Sequence, residues 1–180
     1  MKKMILLTIG VLILTGCSLK MTPSDKVEAL LNKYVSNDTE IMKELDSYIK
    51  EQELTDTQKE KYKDIVKNEY STMKYDIKDE KIDDETALVT VDITVKDLYK
   101  ASEEASLYLQ ENPQEFYTDG EYDKEKFVDY KLKAMEKAKD TVDYTIDFTL
   151  TKIKNKWVID DLNNETLEKI HGIYNYEVAK

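Results

Sequence analysis

One cysteine, one histidine and two adjacent aspartate pairs are the places where this 180-residue chain could build reactive chemistry. The histidine, His171, has no second His or Cys at a metal-ligand spacing and no H-E-x-x-H context, so a surface or edge position is expected for it. Asp83-Asp84 and Asp160-Asp161 lack the D-x-[DN]-x-[DN]-G loop of a calcium site. Adjacent residues on a strand also point to opposite faces, so both pairs are expected to be solvated turns. No G-x-S-x-G elbow and no glycine-rich phosphate loop is present. Cys17 differs. In front of it stand Lys2 and Lys3, an almost wholly apolar run from Met4 to Leu14, and the small residues Thr15 and Gly16. That run is too short to span a bilayer, which takes about 20 residues. A charged start, a short apolar core and small residues before a cut make the pattern of a secretory signal peptide.

Leu14-Thr15-Gly16-Cys17 resembles the lipobox of bacterial lipoproteins: a leucine, two small residues and an obligatory cysteine. The resemblance implies diacylglyceryl transfer to the Cys17 sulfur and cleavage between Gly16 and Cys17, leaving fatty acyl chains such as palmitate on the new N-terminus. The residue types suit that chemistry, because a thiolate is a strong nucleophile and two acyl chains anchor stably where one does not. An ordinary signal peptide with a chance cysteine, or a buried N-terminal helix, accounts for fewer of these features together. The expected organisation is a signal peptide over 1–16, a lipidated cysteine and short tether over 17–22, and one domain over 23–180. The expected location is the extracytoplasmic face of the cell membrane, with the lipid as anchor.

Composition narrows the partners. The chain carries 38 acidic and 27 basic residues, for a net charge of −11. Every basic residue is lysine, which removes bidentate arginine clamps from any scheme. So acidic a chain is a poor match for nucleic acid or for an anionic bilayer surface, both of which call for a concentrated basic patch. With Cys17 acylated, no thiol remains for a disulfide or a thiolate metal site. No cofactor or metal is expected.

The elements follow from period and caps. Thr22-Pro23-Ser24-Asp25 opens a helix whose stripe is Val27, Leu30, Leu31, Tyr34 and Val35. A second is expected over 39–52 on Ile41, Leu45, Tyr48 and Ile49. A third opens with Thr55 and Gln58 in capping-box spacing and carries Tyr62, Ile65, Val66 and Tyr70. From Met73 the period drops to 2. Ala87, Val89, Val91, Ile93 and Val95 share one face of a strand, as do Val142, Tyr144, Ile146, Phe148 and Leu150 of another. Lys154-Asn155 turns into a last strand at Trp157. Between the second and third strands, apolar stripes predict an αα-hairpin broken at Pro113 and Gly120, and a final helix is expected over 164–174. The order ααα-ββ-αα-ββ-α is α+β: N-terminal helices on a curved antiparallel sheet of about four strands.

"TPSDKVEALLNKYVSNDTEIMKELD" followed by a meander ending in "TKIKNKWVIDDL" is similar to uncharacterised lipoproteins of low-G+C Gram-positive bacteria. Those carry domains like nuclear transport factor two, related in shape to cystatin, in which helices and a bent sheet form a cone. The resemblance implies a fold that often holds a pocket and says nothing of its contents. On such a cone Asp92 and Asp147 are the candidate pocket acids, although alternation puts both on the polar face. Two functions follow. The first is a non-enzymatic envelope module that binds a protein, a peptide or a small molecule. The second is a hydrolase or isomerase with a desolvated carboxylate as base. Apolar or tyrosine side chains at every interior strand position favour binding over catalysis.

Overall fold

The computed structural model describes residues 21–177. The expected signal peptide over 1–16 and the expected lipidation residue Cys17 lie outside the described residues. Thr22 accepts from the Asp25 N–H while the Asp25 carboxylate accepts from the Thr22 N–H, and this capping box starts α1 (Pro23–Val35). Asp38 caps α2 (Thr39–Lys50). The Thr55–Gln58 box starts α3 (Asp56–Thr72). Gln58 does a second job, since its buried amide donates to the Asp129 carboxylate at 2.9 Å and to the Glu125 carbonyl at 3.2 Å. That ties α3 to α5.

Four strands, β1 (Lys74–Asp83), β2 (Thr86–Lys96), β5 (Thr141–Ile153) and β6 (Lys156–Ile159), form one antiparallel sheet in the order β1-β2-β5-β6. β2 and β5 pair from Thr86↔Thr151 to Lys96↔Thr141. Between them runs the expected helical hairpin, α4 (Leu98–Glu111) and α5 (Lys124–Glu136). Its link is more ordered than the breakers suggest, with a 3-10 turn at Pro113–Phe116 and a small hairpin of β3 (Tyr117–Thr118) and β4 (Glu121–Tyr122). Lys154 and Asn155 both take positive φ, 50° and 62°, as a two-residue hairpin turn demands. The fold is α+β.

Alternation decides which side of the sheet is wet. Val89, Val91, Ile93, Val95, Ile146, Phe148 and Leu150 are all at most 3% exposed, and α1 and α3 cover them. The opposite face is a ladder of threonine–aspartate pairs. Thr90 donates to Asp147 and Thr94 to Asp143, both at 2.6 Å, and Thr145 donates to Asp92 at 2.7 Å. Such cross-strand pairs add about 0.2–1 kcal/mol each while keeping that face in water.

The last helix, α6 (Asn164–Ile170), is shorter than the pattern suggests, because Gly172 turns the chain at φ +70°. The turn docks where β2 passes into α4, against the Lys96 carbonyl, and the Tyr99 N–H donates to the Gly172 carbonyl at 2.9 Å. The tail beyond is held by the Tyr176 hydroxyl, which donates to the buried Asp97 carboxylate at 2.9 Å.

Candidate functional site

Asp92 and Asp147 do not form a pocket. Both lie on the solvated threonine–aspartate face, committed to Thr145 and Thr90, and Asp92 also faces the Lys78 ammonium at 3.6 Å. The period-2 pattern that buries Val91 and Phe148 turns these two acids outward.

His171 overturns the sequence expectation of a surface or edge position. It is 7% exposed, at the C-cap of the last helix, where helical spacing from Leu167 turns it inward. Its ring packs against Tyr48 in a T-shaped contact and against Tyr70 at a tilt, with centroid distances of 5.6 and 5.7 Å, and Tyr70 in turn meets Tyr34 at 5.1 Å. No hydrogen bond reaches the imidazole from any described residue. Burial alone lowers its pKa from 6.5 to about 4, so the ring is neutral at physiological pH.

These side chains line a cavity of about 240 Å³ enclosed by the end of α1 and by α2, α3 and α6. Ile41, Leu45 and Leu167 supply apolar wall, and the buried Tyr34, Tyr70 and His171 supply polar tips. The Tyr34 and Tyr70 hydroxyls also make no hydrogen bond within the described structure, and burial pushes both pKa values up. Exposed Glu44 and Glu168 complete the rim. The Glu44 charge acts on both Tyr34 and Tyr70, and that of Glu168 on Tyr48, raising each phenol further. No lysine lines the cavity.

Glu69 is the other group the sequence did not single out. It is fully buried on α3 beside Tyr70, and neither carboxylate oxygen has a hydrogen-bond partner. Desolvation raises its pKa from 4.5 to about 8, with Lys96 pulling the other way. It does not line the His171 cavity. A second, more open cavity of about 370 Å³ lies between Tyr62 of α3, Tyr99 of α4 and Leu132 and Met135 of α5; ion-paired Lys124 and Glu53 belong to its lining. Among the described residues, no group of three or more His, Cys, Asp or Glu side chains is placed to hold a metal ion, and no helix is long and apolar enough to cross a membrane.

No family model matches the chain, and no curated protein matches it. Among solved structures it is similar to the Bacillus subtilis protein ycdA, classed there as a candidate lipoprotein. The two share 16% identity with a TM-score of 0.42, over 83% of this chain and 47% of the neighbour. The chain thus spans about half the length of that neighbour.

Proposed function

We propose that the protein is a lipid-anchored lipoprotein of the cell envelope whose α+β domain binds a small molecule in the His171 cavity and catalyses no reaction. The anchor rests on the run from Lys2 to Cys17, where charge, apolar length, small residues and thiol position agree. A Cys17→Ala protein should therefore lose palmitate labelling and leave the membrane fraction; labelling that persists would refute the anchor. The packing of α1 and α3 on a four-strand meander supports the likeness to nuclear transport factor two domains.

One observation carries the binding function: Tyr34, Tyr70 and His171, largely buried residues of one apolar-walled cavity, have polar tips that make no hydrogen bond within the described structure and are free to meet a ligand. Walls of apolar residues with a few convergent polar groups are the usual makeup of a ligand site. The volume lies below the roughly 300–1,000 Å³ of drug-sized sites, which suits a ligand of metabolite size.

Catalysis finds less support. A general base needs a proton acceptor tuned toward neutrality, within reach of an orienting partner. His171 sits well below that range and has no carboxylate behind it. The raised phenols are still weaker acids than free tyrosine.

A ligand bound only by the native state adds RT ln(1 + [L]/Kd) to stability. Protein extracted from membranes without unfolding should therefore melt higher than the same sample after unfolding, dialysis and refolding. Identical melting would count against an occupied site.

A further inference from the structure

The charge around the His171 cavity narrows the class of ligand, on the premise that the cavity is a binding site. Its rim carries two carboxylates, Glu44 and Glu168, and its lining no lysine. Its one titratable cation candidate, His171, is held neutral by burial. An anionic ligand would therefore enter against a negative field with no cation in the lining to pair with. A metal ion would need several ligating side chains converging on it, and none converge among the described residues. The lining also offers three aromatic rings, buried Tyr34 and Tyr70 and the more exposed Tyr48, and such rings attract cations through their faces. The unprotonated nitrogen of the neutral imidazole and the phenol oxygens can each accept a hydrogen bond. Acceptors, aromatic faces and a negative rim together describe a receptor for a charged donor.

We propose that this cavity takes a small organic cation bearing N–H groups, a primary or secondary ammonium on a compact apolar body. The N–H groups donate to the His171 ring and to the Tyr34 and Tyr70 hydroxyls. The body lies against Ile41, Leu45 and Leu167, and Glu44 and Glu168 supply the field that selects the charge. A quaternary ammonium would use the rings and the field but leave the acceptors unmet, so N–H donors are preferred.

His171 is the only histidine, so one imidazole signal reports on the cavity. The probe is benzylammonium, with benzyl alcohol as its neutral counterpart and benzoate as its anionic one. Each is titrated into full-length protein, labelled at histidine with nitrogen-15 and extracted in detergent, while the imidazole resonances are followed by NMR. Benzylammonium should shift them saturably, with a Kd at least tenfold lower than that of benzyl alcohol, and benzoate should not bind. Replacing both rim acids (Glu44→Gln with Glu168→Gln) should weaken benzylammonium at least fivefold and leave benzyl alcohol unchanged. Both acids are exposed, so the fold does not depend on them. If benzyl alcohol matches benzylammonium, or benzoate binds more tightly, the charge selection is overturned while the cavity remains a binding site. If no compound shifts His171, the ammonium proposal is overturned. The wider binding function is then judged separately, by whether anything is retained from the membrane.

Discussion

A Glu69→Gln variant should be more stable than the wild type by roughly 4 kcal/mol at about pH 9, and by less than about 1 kcal/mol at pH 5. Neither Glu69 oxygen has a partner at full hydrogen-bond geometry, so its ionisation in the folded protein is opposed by desolvation, with the Lys96 charge and backbone N–H in partial compensation. The folded state keeps this proton until about pH 8, while the unfolded chain releases it near 4.5. Its contribution is therefore fully present below 4.5 and is lost as pH rises through 8. His171 has the opposite sign. Lowered from 6.5 to about 4, it contributes fully above 6.5 and is lost as pH falls through 4. Between about 4.5 and 6.5 the two slopes cancel, and above 6.5 the Glu69 slope acts alone. Urea unfolding of both proteins across this range checks the sign. Parallel stability curves would mean that Glu69 reaches water or a partner, contrary to the structure.

Gly172→Ala should cost roughly 3–5 kcal/mol, at the upper end of what single substitutions do. Two effects combine. A side chain at φ +70° is strained by about 1–2 kcal/mol. A Cβ there would also overlap the Lys96 carbonyl, a backbone atom that cannot step aside, so the turn must lift off β2 and lose the Tyr99–Gly172 hydrogen bond. Gly120→Ala is the internal control. It shares a positive φ of 88°, but a Cβ there meets nothing within 4 Å, so only the strain of about 1–2 kcal/mol remains. Because Gly172 adjoins His171, the first variant should also move the imidazole resonance, and the second should leave it in place. Equal costs at the two glycines would show that the docking of the turn contributes nothing.

What was legible in the sequence is what local period and caps encode. Thr22 with Asp25, Thr55 with Gln58, and the alternation through β2 and β5 are short-range signals, and each appears where it was expected. The site was not legible, because it is assembled from α1, α2, α3 and α6, whose approach no local pattern records. Asp92 and Asp147 drew notice for their chemistry, although their own strand period already turned them to solvent. Glu69 and His171 went the other way. Glu69 falls four residues after Ile65 and three after Val66, on the buried stripe of α3, and His171 falls four after Leu167. Helical spacing placed both inward; the polarity of the side chains hid the signal. In chains of this kind, a charged or titratable residue in phase with an apolar stripe is worth weighing before one on a polar face.

The central claim is that the His171 cavity holds a ligand, and an intact-mass measurement under non-denaturing conditions tests it most directly. Full-length protein would be extracted gently from its membrane and its mass recorded beside that of a Leu167→Trp variant, in which an indole fills the cavity from α6. The wild type should carry an additional mass of metabolite size that gentle activation releases, and the filled variant should carry only its acyl groups. A wild type with no mass beyond its lipid, or an added mass that Leu167→Trp retains in full, would contradict the cavity as the site.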